Sequence, residues 1–145
     1  MSDNQVTVVG WKEWAALPDL GVKRIKVKID TGARTSALHV DDMKIFFKDG
    51  HRKVSFRIRP YRRRTDLSVL HECNVIEERS VKNSGGKVEK RPVIQTRIRL
   101  AGKEFPIEVT LTNREDMIFR MLLGRQALIG RFVVDPGRSE SKNSS

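Results

Sequence analysis

The chain has 145 residues, 38% hydrophobic and 32% charged, with 29 Lys and Arg against 18 Asp and Glu for a net charge of +11. That length suits one domain with a modest core, and no run approaches the roughly 18 apolar residues a membrane span needs. The single cysteine, Cys73, excludes an intramolecular disulfide, and the missing basic-then-apolar leader gives the expectation of a cytoplasmic protein.

In chain order, Met1 to Asn4 is expected to be loose, and Lys12 to Leu20 reads as a short helix that Pro18 would end. Arg24 to Ile29 alternates basic and apolar residues, as a strand with one wet face does. Lys53 to Arg59 and Ile94 to Leu100 repeat that pattern, and Phe105, Ile107, Val109 and Leu111 share one face of a further strand. Asp49-Gly50 and Ala101-Gly102 fall where two-residue hairpin turns belong. Ser84, Gly85, Gly86 and Lys87, between strand-like runs, form the expected tip of a long hairpin. Arg125 to Ile129 is long enough for one or two helical turns. Many short strands with turn signals between them predict an all-β fold, a small closed or partly closed barrel with one short C-terminal helix. The predicted domain spans residues 5–136, and the polar stretch Gly137 to Ser145 reads as a disordered tail.

A surface this basic draws polyanions: nucleic acid, an anionic membrane face or an acidic polypeptide. The charge lies on strand faces, at Arg24, Lys26, Lys28, Lys53, Arg57, Arg59, Arg97 and Arg99, with a dense cluster at Arg62, Arg63 and Arg64. Arg57, Arg59, Arg62, Arg63 and Arg64 lie in or beside one strand, so their fields add, and they are the candidates for attracting an acidic substrate.

Asp30-Thr31-Gly32-Ala33 directly follows the apolar strand end Val27 to Ile29. Amide hydrolysis by carboxylates needs one group to take a proton from water and another to polarise the carbonyl. Two carboxylates sharing one proton do both, because like charges about 3 Å apart do not both ionise. A strand end fixes the carboxylate, the Thr31 hydroxyl steadies the turn, and Gly32 permits close backbone approach. An ordinary Asx-type turn would use the same residues, so the tetrapeptide alone does not decide. Asp-Thr-Gly occurs once, so a carboxylate pair requires a two-fold homodimer with the partner's Asp30 opposite. Asp135 follows an apolar run but lacks Thr-Gly, and reads as structural or as a partner for Arg125 or Arg34.

Leu122-Leu123-Gly124-Arg125, continued by Gln126-Ala127-Leu128, supplies a second element, and the Gly-rich hairpin at Ser84 to Lys87 falls between the two. In this order the three elements resemble the retropepsin family of aspartic peptidases, in which a bulky-bulky-Gly loop closes behind the catalytic turn and a hairpin flap covers the substrate. The resemblance implies the acid-protease barrel, Asp30 as catalytic carboxylate with Thr31, Gly32 and Ala33 as its turn, and Leu122, Leu123, Gly124 and Arg125 as support. Asp30 to Leu38, Arg91-Pro92-Val93-Ile94 and Phe132 to Pro136 are similar to a bacterial branch of that family, and the likeness runs from about Gly10 to Pro136. Members have been labelled ATP-dependent zinc proteases and are associated with ATP-grasp ligases, including the type that adds glutamates to a ribosomal protein. The resemblance therefore implies a functional link to such a ligase and polyglutamate-like tails as substrates. In many retroviral relatives an acidic residue pairs with the Arg after the second-loop Gly; here that position is Arg34, which would repel Arg125.

The zinc and ATP labels find no support in the residues. There is no phosphate cradle of the G-x-x-x-x-G-K-[ST] kind, no H-E-x-x-H and no C-x-x-C. His39, His51 and His71 are expected to face solvent and Cys73 to be a small buried thiol, so no cofactor and no metal are expected. A rival reading, a basic barrel binding RNA or a ribosomal surface without catalysis, fits the charge but lacks a stacking platform, aromatics being 6% of residues.

Overall fold

The computed structural model describes residues 5–59, 69–82, 85–114 and 117–140. Strands β1 (Thr7–Val9), β2 (Lys12–Leu17), β3 (Val22–Ile29) and β4 (Ser36–His39) lead into β5 (Asp41–Lys48), β6 (His51–Ile58) and β7 (Val69–Asn74). Strands β8 (Glu77–Lys82), β9 (Val88–Leu100), β10 (Lys103–Thr112) and β11 (Met121–Leu123) follow, then helix α1 (Arg125–Leu128) and strand β12 (Phe132–Val134). The all-β expectation and the short C-terminal helix both hold.

The largest sheet runs β10-β4-β11-β3-β2-β9-β8, and an additional β9–β10 pairing bends it round on itself. The seam is short on one side: β2 meets β9 only at Ala15↔Leu100 and Ala16↔Arg99. This makes a partly closed barrel with β8 hanging on as an edge strand. Its interior holds Ile25, Val27, Leu38, Ile94, Ile98, Leu100, Val109, Leu111, Met121 and Leu123, all fully buried. Several come from alternating runs such as that of β3, while β4 is buried on both faces, and burying such side chains stabilises by about 1.5–3 kcal/mol apiece. A second sheet, β5-β6-β7, buries Val54, Phe56 and Ile58 from one face of β6. Strands β1 and β12 pair in parallel, Thr7 opposite Phe132.

Both predicted hairpin turns are present. Asp49 and Gly50 sit at φ 54° and 78°, Ala101 and Gly102 at φ 50° and 81°. Two successive left-handed residues match the twist of the flanking strands, which explains the Gly at each second position. The helix expected over Lys12 to Leu20 is not formed. Lys12–Leu17 is strand β2, paired antiparallel to β3 from Lys12↔Lys28 to Leu17↔Val22, and only Pro18–Leu20 makes a 3₁₀ turn, closed by Gly21 at φ 66°. Ala15 and Leu17 gain a place in the core by pairing, which outweighs the weak helical propensity of the segment.

The polar stretch after Pro136 starts as ordered chain. Arg138 O accepts from Trp11 N–H at 2.8 Å, Glu140 N–H donates to Lys12 O at 2.8 Å, and Lys26 Nζ lies 3.1 Å from Glu140 Oε1. The docking relies on Gly10: a Cβ there would stand 2.3 Å from Arg138 O. Ser141 to Ser145 and Met1 to Asn4 lie outside the described residues. No described helix is long and apolar enough to cross a membrane.

Candidate active site

Asp30 emerges at the end of β3, next to β11, whose parallel pairing matches Leu123 with Ile29. The strand pairing continues one residue further: Asp30 N–H donates to Leu123 O at 2.9 Å. The carboxylate then folds back on its own turn, Oδ1 accepting from Gly32 N–H at 3.1 Å, while Ala33 N–H donates to Asp30 O at 3.2 Å. The Asx-type turn and the Asp-Thr-Gly turn are thus the same object.

The second loop locks onto the first. Arg125 N–H donates to Ala33 O at 2.8 Å and Gln126 N–H to Arg34 O at 3.1 Å, so the first turn of α1 is capped by the Asp30 loop. Gly124 N–H donates to the buried Ser36 Oγ at 3.1 Å. A Cβ at Gly124 would lie 2.6 Å from Thr35 C and O and 2.9 Å from Thr35 N, so only glycine lets the two backbones cross. Arg125 Nη1 donates to Thr31 O at 3.0 Å, so Arg125 finds a carbonyl where the retroviral pattern offers a carboxylate. Asp135 pairs with neither Arg125 nor Arg34 but accepts Gly137 N–H at 3.0 Å, turning the chain after β12.

Asp30, half-exposed, opens on a cavity of about 1100 Å³. Register fixes its floor. Directly opposed residues share a face, so Glu77, Arg79 and Val81 of β8 lie on the same side as Arg91 and Val93 of β9, Thr110 of β10 and Leu122 of β11. Most of these line the cavity with Asp30, Gly32, Ala33 and Arg34. The β8–β9 hairpin therefore forms one wall, with Lys82↔Val88 its last pair before the tip, where Gly86 sits at φ 85°. Gly85, Gly86 and Lys87 are exposed at that tip; Ser84 lies outside the described residues.

The charges expected to attract substrate are distributed differently. Arg57 and Arg59 do not line the cavity. Arg59 is engaged bidentately by Asp41, at 2.5 and 3.2 Å, and Arg57 Nε lies 3.5 Å from Asp42 Oδ2. A register shift between Asp41 and Lys44, with Asp42 at φ 53°, aims the two carboxylates at these arginines. Burial would raise the Asp41 pKa, but the Arg59 hydrogen bonds and charge, helped by His39, hold it below 3.8. Arg62, Arg63 and Arg64 lie outside the described residues. Among the described residues the cavity's own cations are Arg34, Arg79, Lys82, Arg91 and Arg114, against Asp30 and Glu77. Periodicity could not have ranked them, although Arg34 and Arg91 stand within the motifs that carry the family likeness.

His39 corrects the expectation of solvent-facing histidines. It is fully buried at the end of β4, Nδ1 accepting from Arg114 N–H at 3.1 Å and Nε2 standing 3.2 Å from Asp41 Oδ1. A ring nitrogen that accepts leaves the proton on the other, so Nε2 donates to Asp41. His51 is exposed. His71, half-buried against Phe56, has its pKa lowered by burial, and burial raises that of the half-buried Cys73. Among the described residues no three of His, Cys, Asp and Glu converge as a metal-binding group.

A partly closed β-barrel in which an Asp-Thr-Gly turn is locked by a Leu-Leu-Gly loop defines the retropepsin-like class of aspartic-peptidase folds. Within that class the chain belongs to the RimB-like family: the family model described as retropepsin-like aspartic endopeptidase RimB matches residues 8–145. Among relatives, a probable alpha-L-glutamate ligase of Shewanella halifaxensis is 43% identical over 139 residues, 96% of this chain and 30% of that protein. Another, of Parasynechococcus marenigrum, is 43% identical over 129 residues, 89% of this chain and 28% of the relative. The chain thus spans less than a third of the length of these relatives. A crystal structure of a Legionella pneumophila protein of unknown function superposes with a TM-score of 0.78 at 28% identity, covering 94% of this chain and 98% of that one.

Proposed function

We propose that the protein is one half of a homodimeric aspartic endopeptidase, in which Asp30 of two copies shares one proton and activates a water for attack on a peptide or amide carbonyl. The observation that carries this reading is the lock between the Asp30 turn and the Leu123-Gly124 loop. It holds a half-exposed carboxylate at the mouth of a large cavity, through hydrogen bonds from both sides. One carboxylate is base to the water and its protonated partner donates to the carbonyl oxygen; the roles reverse as the tetrahedral intermediate collapses. The β8–β9 hairpin serves as the flap over the bound substrate.

An acidic peptide or polyglutamate-tailed protein is the substrate this cavity suits, its lining carrying, among the described residues, five cationic side chains against two carboxylates. The relatives named as glutamate ligases hold a segment similar to this chain within a longer polypeptide, which favours a functional link between this domain and a ligase that makes such tails. Asp30→Asn preserves shape and removes the shared proton. It is expected to fold as the parent does and to lower the rate on a glutamate-rich peptide by at least about 100-fold. A folded Asp30→Asn protein cleaving at the parental rate would refute the mechanism.

A further inference from the structure

We infer that Arg91 is the residue by which the cavity selects its substrate, its guanidinium fork reading one substrate carboxylate; the inference rests on the peptidase reading for what happens next, but not for the recognition itself. Arg79 and Arg91 are direct partners across β8 and β9 and face the cavity together. Arg79 is already committed, Nε to Glu77 and Nη2 to Glu108 at 2.5 Å. Arg91 is not. Its Nε donates to Glu89 Oε1 at 2.5 Å, and its two Nη groups make no hydrogen bond among the described residues. Glu89 is itself held, its Oε1 accepting from Thr112 Oγ1 at 3.2 Å.

The consequence is a pre-organised donor. The Arg91 side chain is only 7% exposed, so packing and one carboxylate have already fixed the long stem and the plane of the guanidinium. Little further rotamer entropy is lost when a second carboxylate takes the open edge. A planar fork in that state suits a carboxylate bidentately. Arg34 and Lys82 line the same cavity with no ion pair among the described residues, but both are exposed and unanchored. They attract an anion over distance and do not read its geometry.

The geometry favours a peptide as bearer of that carboxylate. Strand β8 ends the large sheet, so its outer edge offers backbone N–H and C=O groups along the cavity rim, where Glu77 to Lys82 supply much of the lining. An extended peptide can add there as a strand and point alternate side chains at the floor that holds Arg91.

Binding to the Asp30→Asn protein, measured by titration calorimetry, tests this apart from hydrolysis. The probes are octaglutamate and octaglutamine, each as free acid and as C-terminal amide, and an octauridylate. Amidated octaglutamate is expected to bind about 10- to 100-fold tighter than amidated octaglutamine, the range for a hydrogen bond between charged partners. Arg91→Gln should erase most of that ratio, and Arg34→Gln should weaken binding only modestly and mainly at low salt. Tight binding of the glutamine free acid, lost on amidation and on Arg91→Gln, would place the carboxylate at the peptide C-terminus instead of a side chain. Should Arg91→Gln not fold, the Glu89→Gln/Arg91→Gln pair removes both charges together and answers the same question. An unchanged Glu-to-Gln ratio in folded Arg91→Gln protein, no binding of any peptide, or Arg91-dependent binding of octauridylate above all peptides would overturn the inference. A parent protein that shows the preference but cuts nothing would defeat the peptidase reading and leave this one standing. Parental cleavage with no Arg91-dependent preference would do the reverse.

Discussion

Gly124→Ala tests whether the crossing of the two loops is what holds the site. The residue sits at φ −90° and ψ 176°, extended backbone that alanine adopts without strain, so the substitution carries no conformational penalty of its own. The cost is purely steric. The added Cβ would lie 2.6 Å from Thr35 C and O, and those atoms belong to a backbone tied down at the preceding residue by Gln126 N–H on Arg34 O. Relief requires parting the loops, which stretches the Gly124 bond to Ser36 Oγ and the Arg125 bond to Ala33 O. Overpacking of this kind costs about 2–3 kcal/mol, which for a domain of this size lowers Tm by about 4–12 °C. Gly10→Ala is the informative control. Its Cβ would meet Arg138 O even more closely, at 2.3 Å, yet the segment it strikes is mostly exposed and held by few bonds, so it can lift away. Its cost is therefore capped by the worth of that docking, about 2 kcal/mol for two hydrogen bonds and one exposed ion pair. Gly32→Ala meets only the Asp30 Oδ1 oxygen, at 3.3 Å, and is expected to leave Tm nearly unchanged while displacing the carboxylate and slowing hydrolysis. Urea and thermal unfolding of the three variants settle the ranking. A Gly124→Ala protein within about 0.5 kcal/mol of the parent would show that the loops part easily, and the argument for a rigid lock would fail.

Two further outcomes follow from the same structure. Exchange of the amides at Gly85, Gly86 and Lys87 is expected to slow when a tight active-site ligand binds, as measured by hydrogen–deuterium exchange; equal exchange with and without ligand would rule out a flap. Asp41, with its folded pKa below 3.8, contributes stability that is fully present above pH 3.8 and lost as pH falls through the folded value, so the stability gap between the parent and Asp41→Asn should narrow on acidification below about pH 3.8 and be flat above pH 5.

Strands were legible where they keep a period of two, and less so at β4 and the middle of β9, where both faces are buried. Lys53 to Arg59 alternates in sequence and its apolar members, Val54, Phe56 and Ile58, are the buried ones. Turn chemistry was equally plain, since Gly50 and Gly102 are needed for paired left-handed residues. The failures lie where tertiary pairing decides. Lys12–Leu17 has no strong strand pattern, and it is the β3 edge beside it that makes it a strand. His39 gives no sequence sign of burial, because its partners, Asp41 and the Arg114 N–H, come from a local bulge and from a loop far along the chain.

The candidate site divides along the same physical line. Asp30 and Gly32 could be read from sequence because they meet a local demand, a turn that folds back on its carboxylate; Gly124, whose missing Cβ lets the chain cross Thr35, is marked in sequence only by the family likeness. The cations that line the cavity could not. Alternation says that Arg57, Arg59, Arg97 and Arg99 avoid the apolar face, but not which face of which sheet looks at Asp30. Clustering in sequence made Arg57 and Arg59 look available, whereas the bulge at Asp41 and Asp42 supplies each with a carboxylate. Arg91 is marked in sequence by the family likeness of Arg91-Pro92-Val93-Ile94, with no sign of what its side chain faces. Its place on the central strand of the wall, packed to near-complete burial yet with its fork open, emerges only when β8 and β10 are laid on either side of β9. What separates a surface charge from a reading one is the fixed orientation its neighbours impose, and that depends on contacts between strands rather than on residue type.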